Sequence, residues 1–465
     1  MQSPAPRIRR SVQRKTRQAL RLSKKSLQLI LMLSGAAIVA LVSIGFAIMA
    51  DYALEKNREW TRTYPYLIWL IMPLAFVFLR WCVMRFAPYS AGSGIPQVIA
   101  SLSLHRDSPG KLRLVSLVQA IWKIPLTFLG LLAGASIGRE GPSVQIGAAA
   151  MLAWGQWCQK IGLPLKGFNT REWIAAGAAG GLAAAFNAPL SGVIFAIEEI
   201  GKGLDLRWQR LVLLGVLAAG FIVVALTGDN PYFGTFHSSP LQEKMLLWAL
   251  LCAAVCGVAG GVFARLLSKG LAGCLPSGLR HHVHNHPLWV AAFMGLLVAL
   301  LGCLTAGGVF GTSYDVAKNA LMMLPQDSAH FSSAKLLATV ASYWAGIPGG
   351  IFTPALTTGA GIGVELAHSV NMPQAQSVFV LICMAAFLAA ATQSPVTASV
   401  IVMEMSGSQA MLFWMLLASL VATVVSKQIC PQAFYHYSAG RFRQLALSED
   451  ARQTAVAAGT RVTDR

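Results

Sequence analysis

LAAAFNAPLSGVIFAIE at residues 182–198 and LAAATQSPVTASVIVME at residues 388–404 are two copies of one segment. Six of the 17 positions are identical, including Pro189/Pro395 and Glu198/Glu404. Most others keep their type, as in Asn187/Gln393 and Ser191/Thr397. A second pair lies upstream of each copy. GASIGREGPSVQIGA at 134–148 and GIPGGIFTPALTTGA at 346–360 share five of 15 positions: Gly134/Gly346, Gly138/Gly350, Pro142/Pro354, Gly147/Gly359 and Ala148/Ala360. Gly138 and Pro189 are 51 residues apart, Gly350 and Pro395 are 45 apart, so both motifs recur in order and nearly in register. Small-residue composition readily fakes one such match, but hardly two. Duplicated halves with Gly/Pro-interrupted segments at matching positions point to a transporter whose site lies between the repeats. The pattern leaves open whether the halves are parallel or inverted.

The rest of the chain agrees with a membrane setting. Of its 465 residues 55% are apolar and 12% charged, against about 25% charged in soluble proteins. Mean hydropathy is +0.59. Ordinary soluble, disordered and fibrous classes are excluded. Charge-free runs cover Ser26–Ala50, Leu211–Gly228, Met245–Ala264, His281–Tyr314, Leu336–Val364, Leu366–Met403 and Met405–Ser426. Several exceed the roughly 20 residues of one straight span, and others are cut by Gly and Pro. Broken or re-entrant helices packed inside protein explain both features. The net charge of +19 would suggest nucleic acid in a soluble protein. Nine of the cations lie in residues 1–25, directly before the first apolar run. That arrangement reads as a cytoplasmic N-terminus anchoring a span, with no nucleic-acid partner. The run is long enough to cross and lacks a small-residue cleavage site, so it reads as a span and not a signal peptide.

Three short motifs share one design: GSGIP at 92–96, GREGP at 138–142 and GIFTP at 350–354. Glycine permits an unusual turn, and the proline after it opens a helix. Each start leaves free N–H groups at the positive end of a helix dipole. Several such ends converging in a membrane hold an anion without a full cation, which would bind a halide too tightly for release. Glu140 sits at one of these starts. An ionised group at the bilayer centre costs about 2.5–3.5 kcal/mol on insertion scales, which makes it a functional residue by default. Ionised, it competes with an anion for the site, and protonated, it yields. The structural alternative is an ion pair with Arg139. Glu198 and Glu199 close the first repeat copy. Glu404 matches Glu198, whereas Met405 stands opposite Glu199. A carboxylate in both halves reads as structural and one in a single half as functional, so Glu199 is the candidate proton acceptor.

The remaining candidates are weaker. His281, His282, His284 and His286 have no carboxylate or cysteine at ligand spacing and read as a solvated loop, with no metal site. The eight cysteines form no CxxC pair and read as buried lone thiols.

These motifs resemble those of the CLC family of chloride channels and chloride/proton antiporters, over about residues 27–440. The stretch APLSGVIFAIEE at 188–199 fits the family too. The resemblance implies an all-α polytopic membrane fold, an inverted repeat of tilted and broken helices. It divides the chain into a basic N-terminus (1–25), a first membrane repeat (26–230), a second (231–430) and a short cytoplasmic tail (431–465). It implies a homodimer with one pore per subunit, embedded in the bilayer of the cell inner membrane, both termini cytoplasmic. It implies no cofactor beyond the transported chloride and protons. By motif position, Ser93 would donate its hydroxyl to the central chloride, and Ile351 and Phe352 their backbone N–H groups. Glu140 would be the gating glutamate, with backbone N–H groups of Arg139 and Gly141 near the outer site. Glu199 would be the internal proton glutamate. Tyr435 would be the inner-site tyrosine, with Tyr437 as the alternative. Glu199 favours an antiporter over a passive channel, and Ser93 with Pro142 favours chloride over fluoride. The 30 residues after Tyr435 leave no room for paired nucleotide-binding regulatory domains, which suggests a bacterial-type member. A polytopic enzyme finds no support: the chain has no HExxH motif and no paired carboxylates beside a ligand histidine.

Overall fold

The protein is described by a computed structural model covering residues 6–105, 108–163, 169–202, 210–236, 241, 244–324 and 330–457. Side chains of residues 6–25, 210–211 and 455–457 lie outside the described set, and with them the basic cluster of the N-terminus. The described residues are helical nearly throughout. They contain no strands, only two isolated backbone bridges. Seven helical stretches are long and apolar enough to cross a membrane, from Ser26–Thr63 to Gln409–Ile429. Between them lie helices too short to cross: Ile95–Ser103, Pro189–Phe195 and Pro395–Ser406. Such interrupted helices are stable at membrane depth only where protein covers their ends.

The two sequence copies fold alike, by the same chemistry. Helices Thr170–Phe186 and Gln376–Thr392 are apolar on every face and form the core, Gln376–Thr392 being buried along nearly its whole length. Each ends on a matched amide residue in the left-handed region, Asn187 at φ 53° and Gln393 at φ 60°. Their side-chain amides tie down matching return loops: Asn187 Nδ2 donates to Gly228 O at 3.0 Å, and Gln393 Nε2 to Cys430 O at 2.6 Å. A proline then opens the next short helix in each half, at Pro189 and Pro395. Gly147 and Gly359, another matched pair, lie where each core helix meets its preceding neighbour. A Cβ on Gly147 would strike Gly177 O, and one on Gly359 would strike Cys383 O. Small residues thus set the helix separation, as close packing in membranes requires.

The copies also grip one another reciprocally. The Glu198 carboxylate accepts from the N–H groups of Val396 at 3.1 Å and Thr397 at 2.6 Å. Its counterpart Glu404 accepts from Leu190 at 3.1 Å and Ser191 at 2.6 Å, and from the Ser191 hydroxyl. Each glutamate therefore caps the proline-opened helix of the other half. Contacts that run from a residue to its equivalent's neighbours and back again require a local two-fold axis between the halves.

Two expectations change. The histidine cluster does not lie in a loop: it sits on and just after the exposed helix Ser277–Asn285, which starts after Pro276 and stops before Pro287. Cys274 and Cys303 are exposed, unlike the other six thiols: Cys274 ends helix Met245–Cys274 outside the charge-free runs, and Cys303 lies in a run whose hydropathy does not show which face meets lipid.

The caps are expected to contribute equally. Glu198→Ala and Glu404→Ala should each cost about 1–2 kcal/mol, the usual cost of losing a helix cap. Thermal unfolding of the two variants in detergent should show similar losses. A neutral effect of either one contradicts the reciprocal arrangement.

Candidate functional site

The three Gly/Pro motifs meet. Gly138 N–H donates to Gly350 O and Gly350 N–H to Gly138 O, both at 2.7 Å, so two repeat-equivalent residues pair directly. Gly92 N–H donates to Ile347 O at 3.0 Å, and Gly349 N–H to Gly92 O at 3.1 Å. This lacing consumes the carbonyls of the turns. It leaves the starts of helices Glu140–Lys160 and Phe352–Ser369 facing the centre, and helix Ile95–Ser103 opens beside them. All three starts are buried, and no side chain caps any of them. A buried helix start without a partner calls for one.

The side chains there are orphans as well. Ser93 Oγ, both carboxylate oxygens of Glu140, Thr353 Oγ1 and Tyr435 Oη are buried without a hydrogen bond of acceptable geometry. The Glu140 carboxylate lies against Gly138 and beside the amide and hydroxyl of Thr353, between the starts of the two repeat-related helices. Ser93 Oγ lies at the Cα of Gly141. The Tyr435 ring stacks on Phe352 with centroids 5.8 Å apart and planes 15° apart, and its hydroxyl approaches that of Ser93. Ser93, Glu140, Gly141, Ile351, Phe352 and Tyr435 thus surround one small region. Tyr437 is not part of it: it is 38% exposed and packs on Arg441.

Arg139 points elsewhere. Its Nη1 binds Asp51 Oδ1 at 2.6 Å and Ala47 O at 2.8 Å, and its guanidinium lies over the Tyr232 ring. The anticipated structural role for Glu140, a pair with Arg139, is absent among the described ion pairs. Glu199 lies on a π-turn, Ala196–Ile200, a deformation that often marks functional positions. It is 1% exposed. Ser394 donates its hydroxyl to Glu199 Oε2, and His436 Nε2 is 3.7 Å from Oε1. His436 adjoins Tyr435, is partly exposed, and lies 3.2 Å through Nε2 from the backbone carbonyl of Glu199.

Sequence reasoning passed over Lys123 and Lys335. Both are fully buried. Lys123 Nζ donates to Ser90 O and Gly92 O at 3.0 Å and to Gln145 Oε1 at 2.8 Å. Lys335 Nζ donates to Val309 O at 3.0 Å and Gly311 O at 2.8 Å. The signal was present, because their spacing equals that of Gly134/Gly346. Lys123 draws the Gly92 carbonyl of the GSGIP turn, and the Ser90 carbonyl just before it, towards itself. Residues 134–138 also match the G-x-S-x-G pattern of hydrolases. The Ser136 hydroxyl is tied to Thr339 Oγ1 at 2.9 Å, which leaves no exposed nucleophile. Among the described residues no group of three or more His, Cys, Asp or Glu is placed to hold a metal.

The described residues thus form a multi-pass helical membrane protein whose uncapped helix starts meet between two-fold-related halves. The comparisons say which family. The voltage gated chloride channel family model matches residues 74–427, and the chain belongs to that family. The H(+)/Cl(-) exchange transporter ClcA of Cronobacter sakazakii is 30% identical over 467 residues, 94% of each chain. The ClcA of Vibrio vulnificus is 29% identical over 421 residues, 84% of this chain and 85% of that one. The voltage-gated ClC-type chloride channel ClcB of Citrobacter koseri is 32% identical over 317 residues, 66% of this chain and 73% of that one. A slow cyanobacterial Cl-/H+ antiporter has the same fold, with a TM-score of 0.75 at 24% identity over 90% of this chain and 98% of that one. A eukaryotic CLC transporter matches with 0.71 at 20% identity, over 90% of this chain and 74% of that one. The all-α CLC fold expected from the motifs is therefore the fold of this chain.

A Cβ on Gly141 would collide with Ser93 Oγ and lie 2.8 Å from Ser93 O and 3.1 Å from Gly350 Cα. Gly141→Ala is therefore expected to destabilise by about 1–3 kcal/mol, the usual cost of overpacking. Thermal unfolding in detergent measures it. An unchanged midpoint contradicts the close approach of the GSGIP and GREGP turns.

Proposed function

We propose that this protein exchanges chloride for protons across the membrane. The observation that carries the proposal is the convergence of buried, uncapped helix starts with the orphan hydroxyls of Ser93 and Tyr435, beside a buried carboxylate that forms no ion pair among the described residues. Two of the relatives named above are H(+)/Cl(-) exchange transporters, which supports the same reading. In it, chloride accepts from the Ser93 and Tyr435 hydroxyls and from the N–H groups of Ile351 and Phe352. These donors carry only partial charges, so the ion is held and still released. Ionised Glu140 takes the outer place, near the N–H groups of Arg139 and Gly141. Its protonation removes the competing charge and admits chloride. Glu199, reached through Ser394 and His436, passes the proton to the inner side.

The same reading makes the protein a homodimer with one pore per subunit, in the cell inner membrane with both termini cytoplasmic. Chloride and protons are its cargo, and it uses no cofactor. Basic residues 1–25 anchor the first repeat (26–230), and the second repeat (231–430) leads into the tail (431–465) that carries Tyr435. The alternative is a passive chloride channel, the description carried by the Citrobacter koseri relative.

Reconstitution into liposomes separates the two. An imposed chloride gradient should drive protons against their own gradient. Glu140→Gln should keep chloride flux and abolish that proton movement. Chloride flux without proton movement in the unmodified protein overturns antiport in favour of the channel. Retained coupling in Glu140→Gln overturns the role given to this carboxylate.

A further inference from the structure

Arg139 is a buried cation beside a buried carboxylate, and neighbouring helical side chains point apart unless something turns them together. Arg139 is 5% exposed and precedes Glu140, yet both of its terminal guanidinium nitrogens are engaged elsewhere, while Nε is buried without a hydrogen bond. Nη1 binds Asp51 Oδ1 at 2.6 Å and Ala47 O at 2.8 Å, both from the first long helix. Nη2 lies 3.4 Å from the Tyr232 hydroxyl, and the guanidinium carbon sits 5.5 Å from that ring's centroid. Tyr232 is itself fixed: its carbonyl accepts from the Tyr314 hydroxyl, and the two rings meet edge to face at 4.8 Å.

The titratable groups facing Arg139 come from four elements. They are Asp51 on the first helix, Glu140 on its own helix, Tyr232 on the segment before residue 236, and Tyr314 on helix Tyr314–Leu321. The next acid on that last helix, Asp315, is engaged by Arg58 at 2.5 Å. Asp51 and Glu140 are thus the two carboxylates within the field of one arginine, and Asp51 holds it. The Asp51 side chain is 61% exposed, so its grip is exerted at the surface, while Arg139 and Glu140 lie inside.

We propose that Asp51 is a positioning residue for proton exchange: it keeps Arg139 off Glu140, so that the Glu140 carboxylate is free to take up and release protons. The proposal rests on the role of Glu140 given above. Without the Asp51 charge, Arg139 becomes a buried cation whose nearest remaining carboxylate is Glu140. An opposite charge within about 4–6 Å holds a carboxylate ionised by about one to three pH units. The Arg139–Glu140 pair would then resist protonation, and chloride would be admitted only at lower pH.

The experiment is the dependence of coupled chloride/proton flux on external pH in proteoliposomes. Asp51→Asn is expected to move the half-maximal pH down by about one unit. Asp51→Glu, which restores the ion pair, should return the profile to that of the unmodified protein. In a Glu140→Gln background, adding Asp51→Asn should leave the pH profile of chloride flux unchanged. Tyr232→Leu, which removes the ring under Arg139 and keeps Asp51, should shift the profile the same way but less. It serves as the test should Asp51→Asn fail to reconstitute. An unshifted profile in whichever variant reconstitutes overturns the proposal. So does a shift that persists without Glu140, which would show the cluster acting on stability alone. Failure of the underlying reading looks different: Glu140→Gln by itself would still move protons.

Discussion

Two backbone hydrogen bonds, exchanged between Gly138 and Gly350, join the halves of this protein at the point where the chemistry is proposed to occur. Because the two residues are repeat equivalents, the bonds sit on the local two-fold axis. Each half therefore presents the start of one helix to the same space, at Glu140 and Phe352. Neither residue could carry a side chain there without conflict: a Cβ on Gly350 would lie 2.9 Å from Gly141 N, and one on Gly138 would strike the Glu140 carboxylate. The reciprocal caps of Glu198 and Glu404 repeat the same logic on the short helices that follow. A duplicated segment has become a pair of mutual clamps.

Everything polar in the centre is arranged around that join. The turns spend their carbonyls on one another and on Lys123, which turns oxygens away from the space proposed to hold the anion. What remains are N–H groups, the three hydroxyls of Ser93, Thr353 and Tyr435, and one carboxylate. An enclosure with so many donors and a single competing acid suits an ion that must bind weakly and leave. The cations nearest the site are all occupied: Lys123 by carbonyls and Gln145, Arg139 by Asp51 and Ala47. In the proposed exchange, keeping full charges engaged would let partial ones do the binding and leave the protonation of Glu140 to decide occupancy.

Much of this was legible in the sequence because it was carried by local rules. Gly/Pro spacing marks helix starts, and a repeat exposes Pro189/Pro395 and Asn187/Gln393 as equivalents. The single-copy acid Glu199 stood out against the duplicated Glu198 for the same reason, and the duplicated one proves to be a cap. What could not be read are contacts between distant residues. Arg139 meets Asp51 across 88 positions and Glu199 meets His436 across 237, with no local pattern linking either pair. Lys123 and Lys335 show the intermediate case. Their shared offset was visible, but in an apolar run a lysine's carbonyl partners are not. Nor does hydropathy distinguish a face turned to lipid from one turned to protein, as the exposed Cys303 inside an apolar run shows.

The most direct measurement is anomalous diffraction from crystals of the protein soaked in bromide. The account expects a bromide peak within hydrogen-bond reach of the Ser93 and Tyr435 hydroxyls and the N–H groups of Ile351 and Phe352, with a second peak at the outer place in Glu140→Gln. A well-ordered structure with no anomalous peak in this region would contradict it.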